Sequence, residues 1–268
     1  MTNLERIKKA ALQTRRDVVE MTLRAGQAGG HIASALCCAD ILATLYFGVL
    51  RYKAEDPCWD QRDRFILSKG HAVMAQYSVL EQAGFLNPKD NTYGLDHTRY
   101  IGHSPKNFPG VEFPTGSMGH GPSLAAGMAL SAKKDGNPAK VYVLCGDGEI
   151  AEGSVWEALL FASKYKLDNL TVIVDNNGIQ HDAFVKDVLP SGDLAPKFKE
   201  FGFFTIEVDG NDPQALLDAF NADSCGMPKA IVAKTVKGKG VSFIENRIEW
   251  HHGRLTPELA KQALSELK

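Results

Sequence analysis

Two oxygen-bearing side chains, Asp147 and Asn177, stand 30 positions apart, each just beyond a short apolar run. Val141-Tyr142-Val143-Leu144-Cys145 leads into Gly146-Asp147-Gly148, and Leu170-Thr171-Val172-Ile173-Val174 leads into Asp175-Asn176-Asn177. A carboxylate and an amide oxygen are hard ligands of the kind that magnesium or calcium takes together with phosphate oxygens and water. A second set of chemically able residues is histidine: His31, His71, His103 and His252 each adjoin a glycine. An imidazole with its ordinary pKa of ~6.5 suits proton transfer near neutrality. Each feature taken singly has a structural alternative: Gly-Asp-Gly can be a plain turn, and a histidine at a helix start can be a cap or a surface residue.

The elements that would position these groups follow from the pattern around them. The two apolar runs suit buried parallel strands, and a helical run from Glu152 to about Lys166 lies between them. In a right-handed βαβ unit both polar tips fall at the carboxyl edge of the sheet, where open α/β sheets bind ligands. The helix is apolar around most of its circumference, which predicts burial on every side; mid-core packing and covering by another chain both remain open. Upstream, Leu4 to Arg24 reads as an amphipathic helix and Ser34 to about Phe47 as a buried one. Arg62 to Ala72 reads as a strand, a glycine turn and a helix starting at His71, placed to meet an anion. Gly116, Gly119 and Gly121 predict close backbone approach to something flat or charged, ahead of a small-residue helix from Ser123 to Lys133.

Downstream, Gly178 to Lys199 reads as loop, with polar breaks at Gln180-His181-Asp182 and Pro190-Ser191-Gly192-Asp193. A strand (Phe203 to Val208), a helix (Asp212 to Ala222), a strand (Ala230 to Val236) and a last helix (Thr256 to Leu267) follow. The turn Lys237-Gly238-Lys239-Gly240 suits an anion or open solvent equally. His251 and His252 are adjacent and should point different ways, so at most one is expected to face a site. The simplest architecture is one α/β domain over residues 1–268, a mostly parallel sheet with helices on both faces.

Composition narrows the function classes. The 268 residues are 44% hydrophobic and 23% charged, with a net charge of −2, as in ordinary globular proteins. There is no basic footprint for nucleic acid or an anionic membrane, no apolar run of membrane-spanning length and no signal-peptide core at the N-terminus. Five cysteines without a CxxC pair argue against structural zinc and for a reducing compartment, the cytoplasm. GxGxxG is absent after the first strand, against a dinucleotide-binding dehydrogenase.

Gly-Asp-Gly and Asn-Asn at this spacing, Asp63-Arg64-Phe65-Ile66-Leu67-Ser68-Lys69-Gly70-His71-Ala72, and Pro109-Gly110-Val111-Glu112 with Thr115-Gly116-Ser117-Met118-Gly119 together resemble the N-terminal, thiamine-diphosphate-binding half of transketolase. The resemblance runs from Gly30-His31 to His252-Gly253. It implies Mg²⁺ or Ca²⁺ held by Asp147, Asn177 and the backbone carbonyl of Ile179, with Gly148 against the diphosphate. It implies that Gly116, Ser117 and Met118 line the cofactor's rings, that His31, His71, His103 and His252 ring the reaction channel (His71 and His252 also against the cofactor), and that Glu152 faces a partner domain. The segment after His103, Ser104-Pro105-Lys106-Asn107, lacks the usual proline directly after the histidine. The resemblance implies that the pyrimidine-binding and C-terminal domains of full-length transketolases lie on a separate chain. The resemblance therefore implies one subunit of a split transketolase, sharing its sites with a second copy of itself and with a separate C-terminal subunit, in a heterotetramer. Its reaction would be transfer of a two-carbon ketol unit from a ketose to an aldose. Alternatives are a subunit of a 2-oxo-acid decarboxylase or dehydrogenase, a deoxyxylulose-phosphate synthase, or a non-catalytic diphosphate-binding regulatory subunit.

Overall fold

The computed structural model describes residues 2–181 and 183–268; Asp182, in the expected polar break, lies outside the described residues. The strands are β1 (Arg64–Leu67), β2 (Val141–Gly146), β3 (Leu170–Asn176), β4 (Ile179–Gln180), β5 (Ala183–Phe184), β6 (Phe204–Asp209) and β7 (Lys229–Lys234). Five of them form one parallel sheet in the order β1-β2-β3-β7-β6, while β4 and β5 make a small antiparallel hairpin. The helices are α1 (Asn3–Arg24), α2 (Ile32–Cys37), α3 (Ala39–Thr44), α4 (Val73–Gln82), α5 (His120–Lys134), α6 (Gly153–Lys164), α7 (Val185–Val188), α8 (Leu194–Glu200), α9 (Pro213–Asn221) and α10 (Pro257–Glu266).

Strand side chains alternate between two cores. Phe65, Leu67, Leu144 and Ile173 point into a core with α1 to α4, α9 and α10. Ile66, Val143, Cys145, Val172 and Val174 point into a second core with α5, α6 and α8. Successive residues of a strand face opposite ways, so a sheet covered on both sides needs apolar runs rather than alternation. The chain moves outward from β2 to β3 through α6 and on to β6 through α8, then returns to β7 through α9. A right-handed crossover changes face when its direction along the sheet reverses, and α9 accordingly packs on the face opposite α6 and α8. After β3 the chain leads to α8 on one face, and after β7 to α10 on the other, which opens a crevice at their carboxyl ends.

Several local expectations change. The buried helix from Ser34 breaks at Cys38 (φ −93°, ψ 7°) into α2 and α3, followed by a wide helical turn over Leu45–Val49. Its one charge, Asp40, is buried against Arg15, whose Nη1 donates to Oδ1 at 3.2 Å. Helix α5 begins three residues early, because Gly119 takes the left-handed conformation (φ 79°) as its N-cap. The expected loop from Gly178 holds the β4–β5 hairpin, α7 and α8, elements too short to show a period. Helix α6 is not buried on every side: Val155, Ala158, Leu159 and Ala162 are buried, while Leu160 and Phe161 are 58% and 38% exposed. Mid-core packing therefore fails for its outer face.

Candidate active site

The carboxyl ends of β2 and β3 carry the expected oxygen ligands, with Gly146 paired to Asp175 across the two strands. Asp147 is 3% exposed, and its Oδ1 accepts from the Gly148 amide at 2.9 Å while Oδ2 accepts from the Gly178 amide. Asn177 Oδ1 accepts from the Ile179 amide at 3.1 Å. Burial, then the Asp175 carboxylate next to it, push the Asp147 pKa up. A buried carboxylate in that condition is one that a cation would stabilise. The carbonyl of Ile179 accepts from the Lys237 ammonium at 3.3 Å, so a cationic group already stands at the third expected ligand.

Behind these groups lies a buried ion pair, Lys69 with Asp175, joining the exit of β1 to the exit of β3. Asp175 also accepts from Cys37 Sγ at 2.9 Å, from the Thr235 hydroxyl and from Asn177 Nδ2 at 3.3 Å. Burial works to raise the Asp175 pKa, but Lys69, Cys37 and Thr235 outweigh it and hold the carboxyl below its usual range. Lys237 is buried and its pKa is lowered by that burial. Lys69 and Lys237 both line a cavity of about 260 Å³.

The same cavity is lined by His71, Met118, Asp147, Gly148, Asn177 and Ile179, with Glu152 at its wall. Gly148 packs so closely that a Cβ there would lie 2.6 Å from the Cβ of Gln180. The histidines gather around His31, whose ring centroid lies 5.1 Å from His71, 5.7 Å from His103, 5.3 Å from His251 and 4.8 Å from His252. Gly116, at φ 150°, leaves room for the His103 ring, since a Cβ would meet its Cδ2 at 2.9 Å. Ser117 stands apart from the cavity, in a groove with Thr115 and His120.

Of the two adjacent histidines one lines the cavity, and it is His251 rather than the expected His252. The turn at Ile248–Trp250 and a helical His251 (φ −53°, ψ −47°) bring both rings against His31, with centroids 5.3 Å and 4.8 Å away. His251 lines the cavity and His252 is the more exposed. The protonation state also differs from an ordinary imidazole. Burial, then the neighbouring His252 and His103, lower His31 to about 4. Burial, then Lys69 and Lys237, lower His71 well below its usual value, and burial with Lys237 lowers His251 to about 3. These rings are neutral at pH 7, acceptors and donors of hydrogen bonds rather than standing cations.

Sequence reasoning missed Lys69, Glu149, Gln180 and His181 as cavity residues, left Lys237 undecided and preferred His252 to its neighbour His251. Lys69 lies inside the conspicuous stretch from Asp63 to Ala72, and Lys237 inside a glycine-lysine turn that fits an anion; the others carry no local signal. Two polar atoms of this cavity, His251 Nδ1 and Gln180 Nε2, are buried without a partner. The buried Lys237 and the close Gly148 backbone fit a diphosphate; one carboxylate, one carboxamide and one carbonyl fit a hard cation. Among the described residues no three His, Cys, Asp or Glu side chains converge as a metal centre, and the expected ligand set needs only one of them.

A family model described as transketolase, thiamine diphosphate binding domain, matches residues 7–267. The chain is 42% identical over 268 residues to an apulose-4-phosphate transketolase subunit of Actinobacillus succinogenes, covering 98% of this chain and 96% of that one. It is 35% identical over 244 residues to 6-deoxy-6-sulfo-D-fructose transketolase subunit SqwG of a Clostridium species, covering 89% and 88%. The transketolase structure from Leishmania mexicana superimposes with a TM-score of 0.89 at 31% identity, over 97% of this chain and 41% of that one. The chain thus spans about two-fifths of that solved transketolase and nearly the full length of the relatives that are named as subunits.

Proposed function

The chain belongs to the transketolase family through its thiamine-diphosphate-binding domain, and from that membership we propose that it is the N-terminal subunit of a split transketolase. It transfers a two-carbon ketol unit from a ketose or ketose phosphate to an aldose, with thiamine diphosphate and Mg²⁺ or Ca²⁺, and is active only with a partner. The observation that carries this reading is the meeting, in one cavity, of the oxygen ligands of β2 and β3 with the buried Lys237, beside a cluster of histidines. The relatives of matching length are named as subunits, which supports a separate C-terminal chain as partner. In the proposed heterotetramer that chain and a second copy of this one complete the sites. The pyrimidine-binding and C-terminal domains sit on the partner chain. Among the described residues no helix is long and apolar enough to cross a membrane; with its free cysteines, the proposed compartment is the cytoplasm.

In this reading Asp147, Asn177 and the Ile179 carbonyl hold the metal, and Lys237 with the Gly148 backbone holds the diphosphate. Met118 lies along the cofactor's rings, Gly116 and Ser117 belong to the loop that brings it there, and Glu152 faces the partner. When bound, the cofactor supplies the nucleophilic carbon and the electron sink for breaking and making the carbon–carbon bond. His31, His71, His103 and His252, with His251, orient sugar hydroxyls. A ring nitrogen of a neutral His31 or His71 accepts a hydroxyl proton and returns it. The test is to purify the chain with its native partner and offer ketose phosphates with aldose acceptors, and separately pyruvate. Ketol transfer without CO₂ release is expected. CO₂ from pyruvate, or cofactor binding with no turnover on any donor, would overturn the reading.

A further inference from the structure

Glu149 has no part in the chemistry above, yet it is buried in the wall of the same cavity. Its carboxylate gathers three donors from three separate segments. Oε1 accepts from the Ser68 hydroxyl and from the Gly119 amide at 2.8 Å, and Oε2 accepts from the Gly146 amide at 3.1 Å. Ser68 follows β1 and stands directly ahead of Lys69 and His71. Gly119 closes the loop that carries Ser117 and Met118, and Gly146 precedes Asp147. The Ser68 hydroxyl accepts in turn from the Gly121 amide at 3.2 Å. The junction has no slack, since a Cβ at Gly121 would meet Ser68 Oγ at 2.3 Å and one at Gly119 would meet Glu152 Cβ at 2.6 Å.

We propose that Glu149 is a positioning residue, a clamp that holds the β1 exit, the Ser117–Gly119 loop and the Gly146–Asp147 turn at the spacing that thiamine diphosphate requires. This rests on the reading that the cavity receives that cofactor. The side chain must be acceptor-only, because both amides facing it are donors. A glutamine in either flip would turn its NH₂ toward the Gly146 or the Gly119 amide. Aspartate falls one methylene short of the three donors.

The experiment compares the chain and its Glu149→Gln variant by amide hydrogen exchange and by cofactor titration of the complex with its partner. Exchange in segments 115–121 and 145–148 is expected to accelerate together by about tenfold, the scale of one lost hydrogen bond to a charged group, while α1 and β6 keep their protection. The apparent KM for thiamine diphosphate should rise about tenfold, with kcat at saturating cofactor within about twofold. Acceleration in only one segment, or a fall in kcat at unchanged KM, overturns the clamp. Should Glu149→Gln fail to fold, Ser68→Ala serves: faster exchange at Gly146 to Gly148, which the Ser68 side chain reaches through Glu149, supports the clamp, and unchanged exchange there overturns it. If the wild-type complex takes up no thiamine diphosphate, the functional reading falls, while the exchange comparison still decides whether Glu149 couples the segments.

Discussion

His31 shows how far burial moves a side chain from its behaviour in water. Its pKa falls from 6.5 to about 4, chiefly through desolvation. The unfolded chain therefore takes up a proton near pH 6.5 that the folded chain refuses until about pH 4. Stability tied to this ring is fully present above 6.5 and is lost as the pH falls through that window. Thermal midpoints of the metal-free protein should drop between pH 6.5 and 4, and a His31→Asn variant should show a shallower drop; parallel curves would remove His31 from the effect. The same ring shows what a sequence can and cannot disclose. Its neighbour Gly30 and its place before a helix marked it, but the lowered pKa depends on His103, His252 and Lys237, which lie 72 to 221 positions downstream. Asp147 and Asn177 were legible because each follows its own strand. Glu149 was not, because its meaning comes from Ser68 and Gly119, and no local pattern reports a contact across 81 positions.

At the scale of elements, the exits of β1 and β3 are locked together by Lys69 and Asp175, which are 1% and 0% exposed. Removing one member of a buried pair strands the other charge, at a cost of about 3–5 kcal/mol. Lys69→Met should lower the unfolding free energy by about that much in urea titrations, and adding Asp175→Asn should recover part of it; additive losses would show that the two residues act separately. Strands β2 and β3 could be read directly, since a strand covered on both faces must be apolar throughout. The break between α2 and α3 could not, because Ile32 to Thr44 is a uniformly buried run and neither burial nor period marks where a turn relaxes. The α5 start was hidden for a related reason: Gly119 reads as flexible chain, and only its left-handed backbone makes it a cap.

At the scale of the molecule, α6 and the residue that ends it leave Leu160, Phe161 and Tyr165 exposed to solvent. In a protein that works with a partner these side chains are expected to be covered on assembly. Leu160→Glu should reduce recovery of the partner in native mass measurements while shifting the free energy of unfolding by no more than about 0.5 kcal/mol; equal recovery would place the interface elsewhere. The strand order has a consequence for how the chain is made. Strand β7 pairs with both β3 and β6, yet it is the last strand of the sheet to leave the ribosome. Until residues 229–234 emerge, the inner flanks of β3 and β6 have no partner, and unpaired strand flanks recruit other chains. The interval between synthesis of β6 and emergence of β7 is therefore when the nascent protein most needs a chaperone, and a chain truncated before Lys229 would be lost to aggregation.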